Sequence, residues 1–222
     1  MKAILISLTA TYLGAASFSS AFAQSTATIS NTPLYTNCGD NTTGFNLKFG
    51  GASFTVDNHM LVGTEGGGWY SLPVYVSGDF QVDFDVYPDA NDAASALMLY
   101  DDSNNRGVLM FNCTETTFSN TNIGIYSVND LTNHDQFYFP NSPLGIAPAK
   151  NFTVKAWTHI TIIKKGNTLT DNVGGKVISA DLSKEKLPLV LRVGLGYYAT
   201  TNVGGDGEIG HANLRIVRLK PQ

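Results

Sequence analysis

The segment "VDFDVYPD" carries Asp83 and Asp85 two positions apart, which on a strand puts both carboxylates on one face. Two carboxyl groups held a short distance apart are what glycoside hydrolysis asks of its acid and its nucleophile or base. A solvated strand face has the same composition. A second acidic pair, Asp206 and Glu208, lies in "GGDGEIGH" beside His211, a set able to exchange protons among glycines that let a ligand approach the backbone. The plain alternative is an exposed turn between closing strands. In "KAWTHITIIKKGNTLTDNVGGK", alternation puts Trp157 and His159 on one face with Thr161 and Ile163. No partner for His159 is identifiable from the sequence, and a structural hydrogen bond at a sheet margin is the expectation.

Two loops hold hard oxygen ligands of the kind calcium takes. "YPDANDA" offers Asp89, Asn91 and Asp92, and "YDDSNN" offers Asp101, Asp102, Ser103 and Asn104. Asx-rich turns have this composition for conformational reasons alone, so no metal or other cofactor is expected, with calcium at the first loop as the alternative. Aromatic residues are the stronger binding signal, because sugars stack their C–H faces on Trp and Tyr rings. Trp69 and Tyr70 follow three glycines in "GTEGGGWYSLP", and Tyr197 and Tyr198 follow "GLG". With Asp206 and Glu208 they form the candidate ligand-binding set, and Tyr87, Tyr100, Tyr126 and Tyr138 extend it. Adjacent residues on a strand face opposite ways, so a share of these rings must pack inward.

The elements that would position these groups are strands. "DFQVDFDVYP" alternates Phe80, Val82, Phe84 and Val86 with Gln81, Asp83, Asp85 and Tyr87, the pattern of a strand buried on one side. "ASALMLY" and "VLMFNCTE", joined by "DDSNNRG", read as a hairpin. "WTHITIIKKG", "TLTDNVGG" and "KVISADLS" read as a three-stranded meander, and "PLVLRVGLGYYA" and "HANLRIVRL" close the chain. No stretch shows helix caps with a sustained 3.6-residue period; "LSKEKLP" suits a single turn. Ten or more short strands without a βαβ rhythm predict an all-β antiparallel sandwich or jelly roll.

The chain has 222 residues, a formal charge of −4 and only 14% charged residues. Without a basic run, nucleic acid and anionic membrane are not expected partners. Residues 1–23 read as a signal peptide: Lys2, an apolar run, and Ala21 and Ala23 before Gln24. The expectation is a secreted or periplasmic protein, and no later segment has the length of a membrane helix. Residues 24–53 read as a polar arm leading into a first strand, and 54–222 as the domain proper. Cys38 and Cys113 are expected to pair in an oxidising compartment, contributing roughly 4 kcal/mol if bridged. Sequons at Asn41, Asn112 and Asn151 matter only in a eukaryotic host; the leader reads as more bacterial.

From about Phe80 to Leu219 the sequence resembles concanavalin A-like lectin/glucanase domains, in particular the laminin-G-like branch. "GDFQVDFDVYP" is similar to their first long strand, "WTHITIIKKGNTLTDNVGGK" to their Trp strand, Gly-Asn turn and Gly-Lys turn, and "DGEIGHANLRIVRL" to their closing strand. The resemblance implies a jelly roll of two antiparallel sheets, one flat or convex and one concave, with ligands in the concave face or at its rim. Its members include lectins, glycosidases, lyases and adhesion modules, so fold leaves the chemistry open. The Glu-x-Asp-x-x-Glu strand of its glucanases is missing, as are the Arg-x-Glu-x-Arg and Gln-x-His strands of its lyases. Gly-x-Ser-x-Gly, His-Glu-x-x-His and P-loop motifs are absent too. The reading is a glycan-binding or recognition domain without catalysis. A polysaccharide-active glycoside hydrolase and a protein-binding adhesion domain are the alternatives.

Overall fold

Phe80, Val82, Phe84 and Val86 are buried while Gln81, Asp83, Asp85 and Tyr87 are only partly covered, so the alternation of this stretch is that of a strand with one dry face. The structure, a computed structural model, describes residues 32–50, 54–63, 66–89, 93–114, 123–133, 142–147, 152–199 and 208–220. Among these residues there are fifteen strands and no helix. In chain order they are β1 (Tyr35–Asn37), β2 (Asn46–Gly50), β3 (Phe54–Asp57), β4 (Met60–Gly63), β5 (Gly66–Ser77), β6 (Phe80–Pro88), β7 (Ala93–Asp101) and β8 (Arg106–Cys113). There follow β9 (Ile123–Val128), β10 (Pro143–Ala147), β11 (Thr158–Lys165), β12 (Thr168–Val173), β13 (Lys176–Asp181), β14 (Val190–Ala199) and β15 (Ile209–Arg218).

Two antiparallel sheets result. Sheet I runs β13-β12-β11-β6-β15-β4-β3, with β1 also on β15, and sheet II runs β10-β9-β8-β7-β14-β5-β2. The meander appears as β11–β13 and the hairpin as β7–β8, while "LSKEKLP" makes a turn in which Glu185 N donates to Leu182 O at 3.0 Å. The arm supplies β1 to sheet I and β2 to the edge of sheet II.

The shared core joins Phe84, Ile160 and Ile162 of sheet I to Leu97, Val193 and Leu195 of sheet II, all buried. Removing this apolar surface from water is the main drive to fold. Two polar bridges cross it: Ser95 Oγ meets His211 Nε2 at 2.9 Å, and Asn112 Nδ2 donates to Asp171 Oδ2 at 3.0 Å. They fix the facing of sheet II, since Ser95 and Asn112 are register partners and must both look toward sheet I.

The opposite face of sheet II is also apolar and covered. Trp69, Met98, Tyr100, Leu109, Phe111 and Tyr126 are all buried there. Trp69 meets Tyr100 edge-on at 5.1 Å, and its Nε1 donates to the carbonyl of Leu131 at 2.6 Å. Leu131 N in turn donates to Asn105 O, which draws the loop after β9 across this face.

Two expectations are corrected by this packing. Trp69 and Tyr70 are buried on opposite faces of sheet II, and Tyr197 is buried against Phe54, so none of the three rings can serve as a sugar platform. Tyr100 and Tyr126 are core as well, and Tyr198 is half-buried against the core. Neighbouring glycines make room for rings rather than for ligand: a Cβ on Gly63 would lie 2.4 Å from Tyr197. No disulfide joins Cys38 to Cys113, because Cys38 is exposed after β1 of sheet I and Cys113 is buried in β8 of sheet II. Asn112 is buried against Asp171, so its sequon has no room for a glycan.

Candidate ligand-binding groove

Along one edge of β15 the neighbour changes: β4 pairs with Ile209–His211 and β1 with Leu214–Ile216. At the change β15 bulges against β6 between Ala212 and Arg215, and Asn213 takes φ +55°. A bulge re-aims side chains and interrupts pairing. Here it turns Asn213 to the outside and leaves a gap in sheet I between the end of β1 and the start of β4.

The gap opens into a groove of about 670 Å³ lined by Cys38, Asn58, His59, Met60, Asp85 and Trp157, with His159, Ala212 and Asn213, a volume typical of small-ligand sites. One wall is the β3–β4 hairpin tip, whose two central residues Asn58 and His59 have φ of 46° and 63°, the positive values a two-residue turn needs to match strand twist. His59 Nδ1 bonds Asp40 Oδ1 at 2.5 Å. The turn carrying Asp40 is shaped by Asn37, whose Oδ1 accepts from Gly39 N at 2.8 Å and whose Nδ2 donates to Asn41 O at 2.8 Å.

The floor is set by register. His159 of β11 stands opposite Asp85 of β6, and Thr161 opposite Asp83. His159 Nδ1 donates to Asp85 Oδ1 at 2.7 Å, and Asn213 Nδ2 donates to Asp85 Oδ2 at 2.7 Å. Asp83 accepts from Thr161 Oγ1 at 3.0 Å and from Gln81 Nε2 at 2.9 Å, and lies 3.8 Å from His159 Nε2. Trp157 enters from the turn before β11 and tilts against Tyr87, ring centres 5.3 Å apart, leaving 52% of its surface exposed. It is the described tryptophan that faces water.

Of the residues singled out from sequence, Asp83, Asp85, Tyr87, Trp157 and His159 come together here. Glu208 and His211 do not: Glu208 precedes β15, and His211 on β15 is fully buried, with burial lowering its pKa to about 4. Asp206, Asn91, Asp92, Tyr138, Asn151 and residues 1–23 lie outside the described residues. Asp89 is paired with Lys155 Nζ at 3.5 Å. In the second loop Asp101 caps its own turn, accepting from Ser103 and Asn104, while Asp102 accepts from Arg192, Tyr75 and Lys48. Among the described residues no group of three or more His, Cys, Asp or Glu could hold a metal ion.

The contributions of His59 and Asn213 went unread. The signal for His59 is its place in the two-residue turn of "DNHM"; for Asn213, exposed on a strand by its bulge, there was none.

The two-sheet topology is that of the concanavalin A-like jelly rolls. No protein-family model matches the sequence, and no curated protein matches it. Solved structures do. A Bacillus subtilis protein of unknown function with a galectin-like fold superposes with a TM-score of 0.66 at 10% identity, over 88% of this chain and 100% of that one. The carbohydrate-binding module CBM66 from Bacillus subtilis gives 0.56 at 15% identity, over 80% and 98%. The Crh5 transglycosylase in complex with NAG gives 0.56 at 14%, over 84% of each. At these identities the likeness is one of fold.

Proposed function

We propose that this chain is a carbohydrate-binding protein acting outside the cytoplasm, with its ligand held in the groove beside Trp157. The observation that carries the reading is Trp157: a half-exposed indole at the margin of a groove whose polar atoms are held by neighbours. Such a ring offers an apolar platform for a sugar face, and Asp85 and Asn213, held by hydrogen bonds, offer oriented partners for hydroxyls. The similar folds include a carbohydrate-binding module and a transglycosylase in complex with NAG, which supports a glycan as ligand. Glycan-array screening followed by calorimetry tests it. Trp157→Ala should weaken binding about tenfold or more, while Tyr75→Ala, on sheet II, should leave it unchanged. Equal binding by wild type and Trp157→Ala removes the groove from consideration.

One observation favours a second reading. His159 Nδ1 donates to Asp85, an imidazole oriented by a carboxylate as a general acid–base pair requires, the arrangement a polysaccharide-active enzyme would use. Release of reducing ends from a bound polysaccharide, lost in His159→Gln while binding survives, would establish catalysis. Binding without release in the wild type supports the first reading.

A further inference from the structure

Asp85 is the carboxylate among the lining residues of the groove. The Nδ1–H of His159 and one Nδ2–H of Asn213 are spent on Asp85, and His59 Nδ1 is spent on Asp40. What remains toward the ligand is the second lone pairs of Asp85, the other Nδ2–H and the amide oxygen of Asn213, and the Asn58 amide, while the Asp40 carboxylate stands beside the groove on His59. No lysine or arginine is among the lining residues. Lys155, two residues before Trp157, is paired with Asp89, and Arg215 stands opposite Asp83 in the register. A cationic ligand suits such a lining, and an anionic one would bring its charge against Asp85 and the nearby Asp40.

We propose that the groove selects glycans bearing unacetylated amino sugars, with the ammonium of a glucosamine-type residue between the face of Trp157 and Asp85. This deepens the reading of the groove as a glycan site and rests on it. An ammonium supplies three donors and a positive charge, and both an indole face and a carboxylate attract it. N-acetylation removes the charge, and a uronate reverses it.

Calorimetry on the full chain at a pH where the amine is charged decides the matter, using a chitosan hexamer, a chitin hexamer and a hexagalacturonate. The chitosan hexamer should bind about tenfold or more tightly than the chitin hexamer, the uronate should not bind, and the advantage should shrink as salt is raised. Hexalysine should fail to displace the chitosan hexamer, which separates a sugar site from simple attraction to a protein of net charge −4. Asp85→Asn should bring the chitosan and chitin hexamers to similar affinity, and Asp40→Asn, at an exposed carboxylate, should narrow the gap without loss of fold. Trp157→Ala should weaken both. Chitin binding as tightly as chitosan, uronate binding, displacement by hexalysine, or an undiminished preference in Asp85→Asn overturns the selection while leaving a glycan groove in place. Equal binding of all ligands by Trp157→Ala and wild type overturns the groove itself.

Discussion

Among the described residues, Asp171 and His211 are the carboxyl and the imidazole buried in the core between the sheets, and burial moves them in opposite directions. Loss of solvent raises the Asp171 carboxyl to about 6, against a lowering bond from Asn112, and lowers the His211 imidazole to about 4. For His211, the unfolded chain takes up a proton below roughly 6.5 and the folded one only near 4, so its contribution declines as pH falls through that window. Asp171 behaves in reverse: the unfolded carboxyl ionises near 3.8 and the folded one near 6, so its contribution is intact below the lower value and lost as pH rises to the upper. Each window spans roughly 3 kcal/mol, and over their overlap the slopes oppose. Asp171→Asn should therefore make stability climb more steeply with pH between about 4 and 6.5 than in the wild type, as read from urea unfolding at stepped pH. An unchanged slope would mean that Asp171 ionises in the folded state as it does in the unfolded one.

At the scale of elements, the register of β6 against β11 and the bulge in β15 build the groove. Alternation had already placed Asp83 and Asp85 on one face and Trp157 and His159 on another, so each half of the floor was legible. The pairing that joins them spans more than seventy residues of chain and leaves no local mark. The same limit explains Trp69 and Tyr197. An aromatic after glycines reads equally as platform or as packing, and only what covers it decides: the loop at Leu131 over Trp69, and Phe54 against Tyr197. A tight glycine next to such a ring tests it. Gly63→Ala would drive a methyl to 2.4 Å from the Tyr197 ring and should cost about 1–3 kcal/mol or more, seen as a lowered melting temperature.

At the scale of the whole molecule, the two sheets separate the cysteines. Thiol labelling should modify Cys38 in the native protein and Cys113 only after denaturation, and a reductant should leave the melting temperature where it was; a shift on reduction would reveal a bridge that the fold does not contain. The wrong expectation came from compartment chemistry, which says when cysteines pair but not whether they meet. By itself the sequence determined the all-β class, most strands from Phe80 onward and the dry face of β6, because these follow from period-two alternation and turn residues, which are local; β3, β4 and the long β5, whose start reads as a glycine-rich loop, were not legible. The jelly roll followed from resemblance in the meander and closing strands. What only tertiary structure decided was which face of which sheet stays open: the expected face of sheet II is sealed by a second apolar layer, and the groove lies on sheet I where β15 changes partners. Such a choice depends on contacts between segments far apart in the chain, where side chains of like type are sorted by what covers them.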